Sequence, residues 1–146
     1  MKSLKLLLLG VLIVGTATMS SCVTEGCTDP DAKTYDSAAG SDDGSCLYEG
    51  TVVFWYGQSI SNLLGLAGAQ TLTYYVDNQI VGYSSADVYW TSAPNCGTSG
   101  SVTYTRDLGS YTSGTSLYQV IDQDGWIIWS DYITFTANTC EAIQLN

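Results

Sequence analysis

Residues 117–129 read Leu-Tyr-Gln-Val-Ile-Asp-Gln-Asp-Gly-Trp-Ile-Ile-Trp. Two runs rich in β-branched and aromatic residues, 117–121 and 126–129, flank the turn sequence Asp122-Gln123-Asp124-Gly125. An Asp-Gly pair between two such runs is typical of a tight β-hairpin, because glycine accepts the positive φ that such turns require. The stretch therefore predicts two neighbouring antiparallel strands.

Further short β-prone runs lie on both sides of this hairpin, at residues 51–56, 71–76, 80–83, 101–105, 132–136 and 142–145. Residues 101–105 alternate polar and apolar side chains, as a half-buried strand does, and residues 77–79 suit a second hairpin turn. Seven or eight short strands in about 95 residues predict an all-β fold, an antiparallel β-sandwich of the immunoglobulin-like or fibronectin-like kind. Helical periodicity is weak throughout, although residues 60–69 have room for one helical turn.

Residues 1–21 have the pattern of an export signal. A basic start with Lys2 and Lys5 precedes an apolar run, residues 6–14, and small residues follow up to Ser21. This order is typical of a secretory signal peptide. The apolar run has roughly half of the ~20 residues that a helix needs to cross a bilayer. We therefore expect it to direct export and not to remain as a membrane span.

Cys22 directly follows Ser20 and Ser21. This site resembles the bacterial lipobox, with Met19 where Leu or Val is usual. The resemblance implies cleavage after residue 21 and lipidation of Cys22, whose acyl chains would hold the protein on a membrane by ~0.8 kcal/mol per buried methylene. Val23 in the next position resembles lipoproteins that are sorted to the outer membrane. The alternative is ordinary secretion, with Cys22 as a free or paired thiol.

Removal of residues 1–21 leaves 125 residues, the size of one domain. Only Lys33 and Arg106 then oppose 14 acidic residues, so the net charge is −12. This charge repels phosphate backbones, which makes nucleic acid a poor partner. The chain has no histidine, which excludes Ser-His-Asp and Cys-His catalysis as well as imidazole metal ligands. We predict that the protein is not an enzyme.

With Cys22 assigned to lipid, four cysteines remain: Cys27, Cys46, Cys96 and Cys140. Four cysteines can pair in three ways. We favour Cys27–Cys46 and Cys96–Cys140, because the first pair brackets a short loop-rich segment and the second lies within the β-rich part. A zinc site is the competing use of four cysteines, but the chain has no CxxC pair and the predicted compartment is oxidising.

The composition changes at residue 50. Residues 22–49 are rich in Asp, Ser and Gly and contain Pro30, residue types that supply turns and not a core. They predict a linker between the lipidated cysteine and a β-sandwich domain at residues 50–146. Five aspartates of this linker fall within 15 residues, namely Asp29, Asp31, Asp36, Asp42 and Asp43. They form a candidate calcium site, because Ca²⁺ takes six to eight hard oxygen ligands. The alternative is a solvated acidic loop, held by one cystine, whose aspartates bond nearby backbone amides.

The same linker carries a recurrent motif, which starts Gly26-Cys27-Thr28-Asp29-Pro30 and ends Asp42-Asp43-Gly44-Ser45-Cys46. It is similar to a motif of exported proteins of the Bacteroidota, in which GCTDP and DDGSC enclose a short Asp- and Asn-rich loop. Residues 34–37, Thr-Tyr-Asp-Ser, depart from the usual Asn-Tyr-Asp-Pro. The chain resembles small lipoproteins of that group, where the motif precedes a β-domain of roughly 100 residues. The resemblance implies compartment, disulfides and fold, but no activity.

Exposed aromatic rings are the candidate ligand-binding feature. The mature chain has Trp55, Trp90, Trp126 and Trp129 beside 11 tyrosines, and a flat row of exposed rings can stack on sugars. Tyr89 and Trp90 are the candidate glycan-binding pair. The alternative is that the rings fill the core. In residues 126–129, the two-residue period of a strand places the two tryptophans on opposite faces.

The stretch Leu63-Leu64-Gly65-Leu66-Ala67-Gly68 is apolar yet rich in glycine, and it has two possible roles. It either covers one end of the sandwich or forms an exposed patch that docks a partner or rests on a membrane. Taken together, these features predict a non-catalytic, membrane-anchored lipoprotein of the cell envelope, at the outer membrane, with a binding, accessory or structural role. A glycan-binding module is the alternative, and exposed coplanar rings would favour it.

Overall fold

The computed structural model describes residues 23–146. The predicted signal peptide, residues 1–21, and the predicted lipidation site, Cys22, lie outside the described residues. The elements in chain order are β1 (Glu25–Gly26), β2 (Ser41–Asp42), β3 (Tyr48–Trp55), α1 (Gln58–Leu66), β4 (Thr71–Val76), β5 (Gln79–Ser85), β6 (Val102–Gly109), β7 (Ser113–Asp122), β8 (Ile127–Thr136) and β9 (Cys140–Gln144). Within residues 23–146, no helix has both the length and the apolar character that crossing a bilayer requires.

Seven strands form the two sheets of a sandwich. One sheet has the strand order β6-β3-β9, and the other has the order β5-β4-β7-β8. All neighbouring strands in these sheets are antiparallel except β3 and β9, which run parallel with Thr51 opposite Cys140. The predicted all-β sandwich is confirmed, and one parallel pair is added to its antiparallel arrangement.

Both predicted hairpins are present. Asp77 and Asn78 join β4 to β5 with φ of 48° and 63°, which Asp and Asn tolerate better than other non-glycine residues. Gly125 has φ of 87° in the turn between β7 and β8, as the Asp-Gly pair predicts. In this second hairpin the register shifts between Val120 and Ile121. Val120 pairs with Trp129 and Ile121 pairs with Ile127, so Ile128 is left without a partner on β7. Such a bulge changes which face the following side chains occupy.

The core fills the space between the two sheets. Alternate residues of β4 are buried, as the two-residue period of a strand requires. The ring of Phe54 on β3 lies between those of Tyr74 and Tyr118, with centroid distances of 5.5 and 5.3 Å. Each large apolar side chain that leaves water in this way contributes roughly 1.5–3 kcal/mol to the free energy of unfolding. Aromatic residues are thus the centre of the core.

Two glycines mark the closest approaches between strands of different sheets. A Cβ on Gly82 of β5 would lie 2.6 Å from Cγ1 of Val102 on β6. A Cβ on Gly50 of β3 would lie 2.7 Å from the backbone oxygen of Thr136 on β8. Real side chains do not tolerate such distances, so the sandwich needs glycine at both positions.

Helix α1 is longer than the single turn that residues 60–69 suggested. Its N-terminal residue lacks a side-chain cap, since Gly57 holds that position. Tertiary contacts compensate: Leu64 is buried against the core, and Ser61 Oγ donates a hydrogen bond to the carbonyl of Ala86 at 2.9 Å. Packing therefore stabilises a helix that local sequence signals do not predict.

The two disulfides are Cys27–Cys46 and Cys96–Cys140, which confirms the favoured connectivity. The first closes residues 27–46 into a loop, called the cystine loop below, and this loop is joined to β3 because Lys33 N–H donates to the carbonyl of Leu47 at 2.8 Å. The second fastens the connection between β5 and β6, residues 86–101, to the start of β9. Both disulfides therefore hold segments that bury few apolar side chains of their own.

Candidate functional site

The candidate site is the outer face of the β5-β4-β7-β8 sheet, which points away from the other sheet. Strand pairing places the following side chains on it: Thr73 and Tyr75 of β4, Ile80 and Tyr83 of β5, Thr115, Leu117, Gln119 and Ile121 of β7, and Ile127, Ser130, Tyr132 and Thr134 of β8. Every one of these side chains is half-buried or exposed, whereas their strand neighbours on β4 and β7 are buried in the core. This set of residues is called the outer face below.

Large apolar and aromatic side chains on the outer face are open to solvent. Tyr83 is 67% exposed, Tyr132 is 70% exposed and Ile127 is 56% exposed. Tyr75 lies between the two tyrosines and is half-buried among its neighbours. Several exposed apolar and aromatic side chains grouped on one sheet are typical of interaction surfaces.

The outer face carries no carboxylate, ammonium or guanidinium among the residues that define it. Asp131 is the acidic residue of β8, but it lies opposite the buried Tyr118 and so belongs to the other side of the sheet. Burial raises the pKa of Tyr118, with a smaller contribution from the nearby Asp131 carboxylate. Polar groups on the outer face are hydroxyls and one amide, Gln119, which donate and accept hydrogen bonds without a charge.

Tyr89 and Trp90, the predicted glycan-binding pair, lie elsewhere. They belong to the connection 86–101, where Trp90 N–H donates to the carbonyl of Tyr56 at 3.0 Å. Trp90 lines a cavity of about 10 Å³, which has room for roughly one water molecule. Tyr89 is 40% exposed and Trp90 is half-buried, and neither belongs to a strand. The pair therefore does not form part of the exposed set of rings on the outer face.

The leucines of α1 divide between the two predicted roles. Leu64 is buried and covers the end of the core, whereas Leu63 and Leu66 are 59% and 87% exposed. Beside them is a mainly apolar groove of about 290 Å³, lined by Ile60, Leu63, Leu64, Ala67, Ile128, Trp129 and Asn146. The indole N–H of Trp129 donates to the carbonyl of Asn146 at 2.9 Å, which joins two of the lining residues.

The five aspartates of the candidate calcium site are used as hydrogen-bond acceptors within the fold. Four of them accept from the backbone N–H two residues further along the chain at 2.9–3.0 Å, namely Asp29, Asp36, Asp42 and Asp43. This is the Asx-turn arrangement that aspartate favours in loops. The fifth, Asp31, accepts from the side-chain amide of Asn138 at 3.3 Å. The aspartates thus shape the cystine loop and join it to the sandwich.

The carboxylates of this loop do not converge. Within residues 23–146 there is no group of three or more cysteine, aspartate or glutamate side chains that could hold a metal ion. A Ca²⁺ ion needs several oxygens around one centre. The structure therefore favours the alternative that the sequence left open, an acidic loop held by one cystine.

Local hydrogen bonds favour the ionised form of two of these carboxylates. The phenol of Tyr48 and the backbone amide of Asp31 lower the pKa of Asp29. The side-chain and backbone groups of Ser45 lower the pKa of Asp43. Each donor favours the charged form of the carboxylate that accepts its hydrogen.

No family model matches this chain. No solved structure matches it either. A stretch of 26 residues, 18% of the chain, is 69% identical to ribulose bisphosphate carboxylase/oxygenase activase of Spinacia oleracea. A stretch of 26 residues is 73% identical to ribulose bisphosphate carboxylase/oxygenase activase A of Hordeum vulgare. The chain spans 6% of the length of each of these relatives, so these short similarities indicate neither its fold nor its activity.

Sequence reasoning missed the outer face because its members come from four strands. Part of the outer face could have been found from the alternation along β4, because Tyr75 stands between Tyr74 and Val76, which are both buried. Two bulges, after Tyr74 and after Val120, decide on which face Ile80 and Ile127 lie. A strict two-residue period cannot anticipate such shifts.

Proposed function

We propose that this protein is a non-catalytic lipoprotein of the bacterial cell envelope, anchored at the outer membrane by acyl chains on Cys22, with a binding or accessory role. The observation that carries the binding role is the outer face, where Tyr83, Ile127 and Tyr132 are exposed together on one uncharged sheet surface. Two disulfides support an exported location, because such bonds persist in oxidising compartments.

The position of the cystine loop supports an anchor at one end of the molecule. This loop packs at the N-terminal end of β3, while α1 follows the C-terminal end. Eight strand residues separate the two ends by about 25 Å. An acyl anchor at Cys22, close in sequence to β1, would leave the outer face along the side of the sandwich open to other molecules.

Glycan binding is the second candidate function. It is favoured by the exposed tyrosine rings on the outer face. Trp90 of the predicted pair is half-buried and lies away from these rings. Aromatic rings present flat apolar surfaces, and hydroxyl groups beside them satisfy polar ligand groups.

Two measurements test the anchored location. We expect intact-protein mass spectrometry of the protein from bacterial envelopes to find residues 22–146 with two or three acyl chains on Cys22. We also expect Cys22→Ser to release the protein from the envelope fraction. Val23→Ala is the matched control and stays membrane-bound. An unacylated terminus, or a Cys22→Ser protein that remains in the envelope, would refute the anchor.

A further inference from the structure

Three tyrosines of the outer face lie on one diagonal across four strands. Tyr83 pairs with Thr73, and Tyr75 follows Thr73 by two residues on β4. Tyr75 pairs with Gln119, and Tyr132 pairs with Leu117, two residues from Gln119 on β7. With strands about 4.8 Å apart and about 6.8 Å for every two residues, the diagonal from Tyr83 to Tyr132 measures roughly 20 Å.

Hydrogen-bonding groups without charge border this diagonal. Thr73 lies beside Tyr83, Gln119 lies beside Tyr75, and Ser130 lies opposite Gln119 on β8. Hydroxyl and amide groups both donate and accept. Flat ring surfaces flanked by such groups suit the two kinds of surface on a sugar: the C–H face stacks on the ring, and hydroxyls at the rim form hydrogen bonds.

The charge distribution points to a ligand without charge. The mature chain has a net charge of −12, and both of its cations are engaged: Lys33 Nζ lies 2.9 Å from Glu49, and Arg106 donates to the carbonyl of Thr115 at 2.9 Å. Acidic polymers and anionic lipid surfaces would be repelled by the excess of carboxylates. A neutral chain on the uncharged outer face would strip water from no charged group.

The same features argue against a protein or a second copy as the occupant. Two copies would each bring the same large negative charge, which disfavours self-association. Among the residues that dominate protein–protein affinity, tyrosine is enriched but serine and threonine are under-represented. On the outer face, Thr73, Thr115, Ser130 and Thr134 surround the tyrosines with hydroxyl groups, which suits a ligand rich in hydroxyls better than an apolar protein surface.

We infer that the outer face binds a neutral polysaccharide chain laid along the Tyr83–Tyr75–Tyr132 diagonal. This inference rests on the proposed binding role of the outer face and names the class of ligand. It assigns no chemistry to the protein beyond recognition, since stacking and hydrogen bonds account for the contact.

Affinity electrophoresis of the detergent-solubilised full-length protein tests it. The native gels contain one polymer each: the neutral polysaccharides amylopectin, xyloglucan, xylan and β-1,3-glucan, and the acidic polymers polygalacturonate and alginate. Sedimentation with insoluble cellulose and chitin extends the neutral set. We expect retention by at least one neutral polymer and by neither acidic one. Tyr83→Ala and Tyr132→Ala should each weaken that retention about tenfold.

Matched controls distinguish binding by the tyrosine rings of the outer face from non-specific binding to the polymers. Tyr111 is 74% exposed in the connection between β6 and β7, away from the outer face, so Tyr111→Ala should keep full retention. Trp90→Ala should also keep it. Ser130→Glu, an exposed position where folding tolerates the change, should abolish retention by adding a charge and bulk beside the diagonal. Melting curves within a few degrees of wild type verify that each variant is folded.

Several outcomes would overturn the inference. Retention by none of the neutral polymers would do so, as would equal retention of Tyr83→Ala, Tyr132→Ala and the parent, or equal binding to an acidic polymer. A dimer in light scattering that Tyr132→Ala dissociates would assign the outer face to self-association. If no glycan is retained but the protein is acylated and envelope-bound, the glycan inference fails and the proposed lipid anchor stands. If an unacylated, secreted protein retains a glycan, the proposed anchor fails and the glycan inference stands.

Discussion

Tyr48 donates its phenolic hydrogen to Asp29 Oδ2 at 2.7 Å, which joins the first residue of β3 to the cystine loop. The phenol lowers the pKa of Asp29, and the carboxylate, with burial as the second cause, raises the pKa of Tyr48. A single hydrogen bond thus makes the attachment of the loop sensitive to pH at both ends of the scale.

The sign of each effect follows from linkage between protonation and folding. The depressed pKa of Asp29 contributes stability above its ordinary value of 3.8, and this is lost as the pH falls below it. The raised pKa of Tyr48 contributes stability below its ordinary value of 10.0, and this is lost as the pH rises above it. We expect the melting temperature of Tyr48→Phe to change less than that of wild type from pH 6 to 3 and from pH 9 to 11. Parallel curves for the two proteins would contradict this.

Asp77 connects the first hairpin to the neighbouring strand. It accepts from the hydroxyl of the buried Ser116 at 2.7 Å and from Leu117 N–H at 3.1 Å, and its φ is 48°. We expect Asp77→Ala to lower the free energy of unfolding by about 2–3 kcal/mol in urea titrations, because it leaves a buried hydroxyl unpaired. Asp77→Asn keeps one acceptor oxygen and should lose less. Equal losses for the two variants would contradict this, because Asn keeps an acceptor oxygen and also tolerates the positive φ.

Gly82 should be intolerant of any side chain. A Cβ there would meet Val102 Cγ1 at 2.6 Å, so we expect Gly82→Ala to cost roughly 1–3 kcal/mol through overpacking. Val102→Ala removes the obstructing methyl groups. The free energy of unfolding that the double variant loses should therefore be about 1 kcal/mol smaller than the sum of the losses of the two single variants, as measured in a double-mutant cycle. Additive losses would rule out this clash as the cause.

The two disulfides should differ in their contribution to stability. They close separations of 44 residues for Cys96–Cys140 and 19 residues for Cys27–Cys46. Loop entropy in the unfolded chain then predicts losses of roughly 4 and roughly 3 kcal/mol when each pair is changed to alanine. Urea titration of the two double variants tests the order. A larger loss from the Cys27–Cys46 pair would show that native contacts of the cystine loop outweigh chain entropy.

Local sequence signals predicted most of the strands. Residues 71–76 were expected as a strand with those bounds, and the Asp-Gly turn at 124–125 was expected to close a hairpin; both are present. Cysteine positions predicted the disulfide connectivity. These features succeed because two-residue alternation, turn residues and loop closure act over short stretches of chain.

Other elements depend on contacts that no short stretch contains. Helix α1 begins at Gln58 without a side-chain cap and is stabilised by burial of Leu64 and by the bond from Ser61 to the carbonyl of Ala86. The parallel pairing of β9 with β3 joins Thr51 to Cys140 across the whole β-rich part. Tertiary packing overrides weak local propensity in both cases.

By itself, the sequence determined the strand pattern, the hairpin turns and the two cystines. Its composition, which is acidic and lacks histidine, excludes histidine-dependent catalysis and disfavours binding of nucleic acid. Only the tertiary structure decided that Tyr75, Tyr83 and Tyr132 share one uncharged surface while Tyr89 and Trp90 do not. The physical reason is register: a single bulge reverses the face that a side chain occupies, and register is set by pairing with strands that are distant in the chain.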